Sequence, residues 1–273
     1  MSLTTILFFF LSHLGIGIIF TLVFVARAAG VKFFRFNAGL AAMLLVVALA
    51  FRYGVPDAPG AGSGGAARGG LLALEAAMAA AVVYWATVGR MLASIRPLLA
   101  GTAAGAGLLA LVLQALAIAA GHSWAVQVMT AASFVSSAAL LGGACTAMVL
   151  GHWYLVIPSM DVRHLQSMVM WHMVSMAVRL VVVAAAVALA FAAWQPGAGP
   201  SFRRYVLSID GIFFWQRVLF GLAGPAVLSY LTWETAKIRS TQSATGILYV
   251  DLFTVIVGEI LAKYILLATH VPV

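Results

Sequence analysis

Apolar residues run along this chain in long blocks, near residues 5 to 29, 37 to 53, 70 to 89, 97 to 120, 124 to 157, 165 to 194, 209 to 234 and 244 to 268. At 1.5 Å per residue each block is long enough to cross about 30 Å of hydrocarbon as a helix. The pattern predicts an all-α integral membrane protein, a bundle of about eight transmembrane helices forming a single domain over residues 1–273. The breaks carry turn punctuation: Pro56-Asp57-Ala58-Pro59-Gly60 running into a Gly/Ser stretch, Pro97, Gly121-His122, Pro158, and Pro196-Gly197 to Pro200. Only the stretch from Pro56 to Gly69 is of low complexity, and it reads as a surface loop. The first block lacks a basic leader and a small-residue cleavage site, so it is expected to be a retained helix rather than a signal peptide.

Composition leaves little room for a soluble fold. Of the 273 residues 64% are hydrophobic and 8% are charged, more apolar surface than one aqueous core can bury. Glycine, with 26 copies, and abundant alanine suit helices packed through small residues. The single cysteine, Cys145, lies within an apolar block. The chain alone therefore cannot ligate an iron–sulfur cluster, and any such centre belongs to a partner.

The net charge of +8 is a topological signal and not a nucleic-acid footprint, because the basic residues cluster in short loops beside the spans. Alternate loops place Arg27, Lys32, Arg35, Arg90, Arg96, Arg163, Lys237 and Arg239 at one end. Arg52, Arg68, Arg203 and Arg204 fall at the other. The positive-inside rule makes the first end cytoplasmic and puts both termini outside, which is the periplasm if the source is a Gram-negative bacterium, and a multi-pass place in a bacterial inner membrane is expected.

Ionisable groups inside the spans cost several kcal/mol unless paired or wetted, so each is a candidate functional residue. Counted from the outer face, Glu75, Arg217, Glu259 and Lys263 share one stratum, with His13 and Arg179 somewhat deeper. Glu259 and Lys263, four apart, share a helical face, and Arg217 has matching depth on the preceding antiparallel helix. Two carboxylates, three cations and a histidine are the parts needed to hydrogen-bond a quinone carbonyl and pass its protons to water. A structural ion-pair network would use the same residues.

The end of the chain resembles a known family. Gly258-Glu259-Ile260, Lys263 and His270 are similar to the Gly-Glu-Leu, Arg, His pattern that closes the last helix of DMSO reductase membrane anchors. Trp215 to Arg217 is similar to a Trp-Arg pair there, and Glu75 to an acidic position at the quinol site. The family's histidine and glycine pattern after the second helix is replaced by Arg52-Tyr53-Gly54. The resemblance to these anchors, and to related polysulfide and nitrite reductase subunits, implies a haem-free subunit. Such a subunit would exchange electrons between a menaquinone or ubiquinone pool and an iron–sulfur or cytochrome partner.

A second constellation lies toward the cytoplasmic side. Gly151-His152-Trp153-Tyr154 closes the fifth block, and His164 and His172 open the sixth. In a hairpin His152 and His172 come to similar depth on antiparallel neighbours, as a bis-histidine b-type haem requires. The alternative is an interfacial belt of His152, Trp153 and Tyr154, with His172 bonded to backbone. Asp251, about two turns into the eighth block, is a further candidate for proton transfer or for a wall of the histidine site. The functions left open are a quinone-linked membrane subunit, a di-histidine cytochrome subunit, a proton-coupled transporter and a structural anchor.

Overall fold

The computed structural model of the protein describes residues 2–54, 64–90, 94–156, 161–192 and 201–273. Among these residues the secondary structure is helical throughout, with no strand. Eight helical spans are long and apolar enough to cross a membrane. The first six are single helices: α1 (Leu3–Leu22), α2 (Gly30–Gly54), α3 (Gly65–Thr87), α4 (Arg96–Ile118), α5 (Trp124–Val156) and α6 (Arg163–Ala192). A short α7 (Phe202–Leu207) lies between spans. The seventh span is interrupted, with α8 (Ile212–Val218), a π-helical turn (Leu219–Ala223) and α9 (Gly224–Lys237); α10 (Thr241–Thr269) is the eighth.

Two spans differ in extent from the hydropathy blocks. α1 stops at Leu22, where the chain turns through Arg27–Ala29 and a left-handed Gly30, and α2 begins there rather than near residue 37. Hydropathy marks where a helix leaves the hydrocarbon, while the backbone keeps its hydrogen bonds by staying helical through Lys32 and Arg35.

Buried residues concentrate on α5 and α1, whose apolar windows are 83% and 72% buried, while that of α6 is 28% buried and otherwise faces outward. α1 and α5 approach at Gly17 and Gly142. A Cβ on Gly17 would fall 2.0 Å from the Ala138 carbonyl oxygen, and one on Gly142 would fall 2.1 Å from the Gly17 backbone. Only glycine allows this approach, which is the small-residue packing expected where lipid gives no hydrophobic drive to helix association. α10 packs against α5, α8 and α9, and α6 against α5 and α9. The polar groups of α1, α5, α6, α8 and α10 are thereby turned into one interior.

Candidate functional site

The site is built around Glu259 on α10, which is fully buried. Its Oε1 accepts from Arg179 Nε of α6 at 3.0 Å and from Arg217 Nη2 of α8 at 2.7 Å. Its Oε2 accepts from Ser137 Oγ of α5 at 2.5 Å and from Arg179 Nη2 at 3.2 Å, with Lys263 Nζ 3.5 Å away. An ionised carboxylate has about four lone-pair sites, and here all are engaged. At about 3 Å and an effective dielectric near 20, one such pair contributes roughly 5 kcal/mol of attraction, set against a desolvation cost of several kcal/mol per ion.

The arginines are themselves anchored. Arg179 Nη1 donates to the Ser133 carbonyl and hydroxyl at 3.0 and 2.8 Å, and Arg179 Nη2 to the Val273 backbone oxygen at 3.2 Å. Ser133, Ser136 and Ser137 recur at helical spacing on one face of α5, so one stripe serves both the arginine and the carboxylate. Arg217 depends on the interrupted span. Pro225 has no N–H to return to the Gly221 carbonyl four residues back, and the chain relaxes into a π-turn closed by Gly224 N–H on Leu219 O. Arg217 Nη1 takes the freed Gly221 carbonyl at 2.8 Å. Gly221 also lies against Gly258 of α10, where a Cβ on either would come within 2.4 Å of the other's Cα. This contact sets the α8 guanidinium beside Glu259.

Ser137 links the carboxylate to His13. Its one hydrogen goes to Glu259, so its lone pairs receive Lys263 Nζ at 2.7 Å and His13 Nδ1 at 3.1 Å. His13 therefore carries its proton on Nδ1, and Nε2 presents a lone pair. That Nε2 is buried and has no partner, as is the case for Arg217 Nε among the donors. The His13 ring packs edge-on against Phe134 and Phe9, with centroids 4.6 and 6.5 Å away. Phe9 also lines a cavity of about 20 Å³ with Phe8, Arg52, Leu71 and Gln114, the size of one water. Both amide atoms of Gln114 are buried without a partner.

Five of the six residues expected at a quinone site thus converge: His13, Arg179, Arg217, Glu259 and Lys263. Glu75 does not join them. α3 packs on α2 and α4, and Glu75 accepts a hydrogen bond from Tyr53. It stands one turn along α3 from Leu71, a residue that lines the small cavity. The cluster consequently holds one carboxylate against three basic side chains, not the two carboxylates expected.

His152 and His172 are not opposed across a common space. Exposed His152 meets the Tyr249 hydroxyl at 2.9 Å, and buried His172 places Nε2 2.7 Å from Asp251 Oδ2. Tyr249 and Asp251 are two residues apart on α10 and project about 200° apart. The two histidines thus lie on different sides of that helix, a placement that does not fit a haem ligated by both. His172 and Asp251 instead form a second buried acid–base contact, close in distance but without hydrogen-bond alignment, and His172 Nδ1 and Asp251 Oδ1 have no partner. Among the described residues no group of three or more His, Cys, Asp or Glu side chains stands ready to hold a metal ion. His270 adopts a left-handed conformation and caps α10, its N–H donating to Leu266 O at 2.8 Å.

Sequence reasoning missed Ser133, Ser137, Gln114 and the Gly221–Pro225 break. Serines at i, i+3 and i+4 inside an apolar span, and a proline four residues after a glycine, are the signals that point to them. No protein-family model matches the chain, and no curated protein or solved structure matches it either.

Proposed function

We propose that the chain is the quinone-interacting integral membrane subunit of a multisubunit respiratory oxidoreductase, exchanging electrons with a partner subunit that bears iron–sulfur or haem centres. In this reading it lies in a bacterial inner membrane, with the arginine-rich end in the cytoplasm and both termini in the periplasm. The likeness of Gly258-Glu259-Ile260, Lys263 and Trp215 to Arg217 to DMSO reductase, polysulfide reductase and nitrite reductase anchors supports it.

The observation that carries the proposal is the unfilled Nε2 of His13, its tautomer set by Ser137 and Glu259. A quinone, menaquinone or ubiquinone, supplies a membrane-soluble couple of two electrons and two protons. His13 Nε2 receives the hydroxyl hydrogen bond of the reduced head group, while Phe8 and Phe9 exclude water. The space on the Phe9 side, where Gln114 also lacks partners, holds one water, so in this reading the Phe8 and Phe9 rings move aside to admit the head group. Arg179, Arg217 and Lys263 surround the one carboxylate with surplus positive charge, which favours negative charge developing nearby.

Quinone extracted from the protein, purified in mild detergent, tests this reading. Stoichiometric quinone in the wild type, lost in His13→Ala while the protein stays monodisperse, is the expected result. Absence of quinone from the wild type, with no uptake of added ubiquinone or menaquinone, contradicts it.

A second reading, a proton-coupled transporter, is favoured by the π-turn and Pro225 within the seventh span, since transporters place sites at discontinuous helices. Gradient-driven solute uptake by the reconstituted chain supports that alternative.

A further inference from the structure

Away from the Glu259 cluster, a trough of about 700 Å³ runs along the outside of the bundle between α2 and α3. On α2 it is lined by Lys32, Arg35, Phe36, Gly39, Met43 and Val46, which recur every three or four residues and so form one stripe along the helix. On α3 it is closed by Val82 and Trp85. The stripe is basic at one end and apolar for the rest of its length.

Three features of the basic end point to a missing anion. Lys32 and Arg35 lie in the first two turns of α2, where unsatisfied amides already make the helix end positive, and that first turn holds no acidic residue. The acidic residues among those described are accounted for elsewhere. Glu75 pairs with Tyr53, Asp161 with Arg163, Glu234 with Lys237, Asp251 with His172 and Glu259 with its arginines, while Asp210 lies at the opposite end of the bundle. Neither Lys32 nor Arg35 has an ion-pair partner among the described residues. Finally, Gly39 lets the Trp85 indole lean onto α2, since a Cβ there would fall 2.7 Å from Nε1. Trp85 is partly exposed at the trough, and its indole N–H has no hydrogen-bond acceptor among the described residues.

We propose that this trough is a binding site for an anionic phospholipid. The phosphate sits between Lys32 and Arg35 at the start of α2, and the Trp85 N–H serves the ester region. One acyl chain lies along Gly39, Met43 and Val46. The chemistry suits it: two uncompensated cations and a helix N-terminus bind a phosphate, and the trough beyond them offers only apolar walls. The site is independent of the quinone reading, because it shares no residue with the Glu259 cluster.

The test uses the full chain in phosphatidylcholine nanodiscs doped with brominated lipid, which quenches tryptophan on contact. Subtracting the signal of Trp85→Phe isolates the response of Trp85. Brominated phosphatidylglycerol is expected to saturate this quenching at a several-fold lower fraction than brominated phosphatidylcholine. Combined Lys32→Gln and Arg35→Gln should abolish that preference but keep the quenching, and Met43→Phe, which narrows the trough without adding a fluorophore that reports, should reduce both. Equal saturation by the two lipids in the wild type, or a preference that survives loss of both cations, overturns the proposal. No quenching by either lipid also overturns it, and assigns the trough to a protein helix or an isoprenoid tail.

Discussion

Arg217 donates to the carbonyl of Gly221, a group that is free because Pro225 has no N–H to give it. The break in the seventh span is therefore what aims a guanidinium at Glu259 on α10. The close contact of Gly221 with Gly258 locks the two helices at that point. Gly258→Val is expected to push the π-turn from α10 and lower stability by about 2–3 kcal/mol, the usual cost of overpacking. Gly105→Ala, at a position open to lipid with nothing within 4 Å, serves as the control and should be neutral or slightly stabilising. Thermal unfolding of both variants in detergent makes the comparison.

Removing the carboxylate should cost more than removing any one cation. Glu259→Ala leaves Arg179, Arg217 and Lys263 buried without a counter-charge, and about 3–5 kcal/mol of stability is expected to go with it. Lys263→Met removes part of a surplus held only 3.5 Å from the carboxylate, and its loss should be clearly smaller. Unfolding of the two variants under one condition gives the ranking.

The His13 tautomer is a direct consequence of the Ser137 hydrogen-bond count. Nitrogen NMR of histidine-labelled protein should show His13 protonated at Nδ1 and bare at Nε2, assigned by its loss in His13→Ala. Ser137→Ala, which deletes the hydroxyl that fixes this arrangement, should leave a mixture of tautomers and a weaker hold on Lys263.

His172 is predicted to be held by Asp251 and not by haem iron. A reduced-minus-oxidised visible spectrum of the purified protein should therefore lack a b-type α-band. A band that disappears in His172→Ala would contradict the assignment of these two residues to each other.

The eight spans were legible because lipid imposes a length and a hydropathy that few other contexts imitate, and Glu259 with Lys263 followed from helical spacing. Depth along a helix can be counted from its ends, which is why Arg217 and Arg179 could be grouped with them. Direction around the axis could not be counted, because these helices are apolar on nearly every side. Glu75 shares the stratum yet turns to Tyr53, and His152 and His172 share one yet lie on different sides of α10. Ser137 escaped notice for a different reason, since a hydroxyl can return its hydrogen bond to its own helix and so carries little cost wherever it falls. Its importance comes from standing between α1 and α10, a relation that exists only once Gly17 and Gly142 have brought the first and fifth helices together.

The most direct measurement is a titration of the purified protein with heptyl-hydroxyquinoline N-oxide, a fluorescent probe of quinone sites, in wild type, His13→Ala and Lys32→Gln. Saturable quenching in the wild type and in Lys32→Gln, weakened at least tenfold in His13→Ala, is the predicted outcome. Linear, unsaturable quenching in all three, as for a probe merely dissolving in detergent, would contradict a quinone site at the Glu259 cluster.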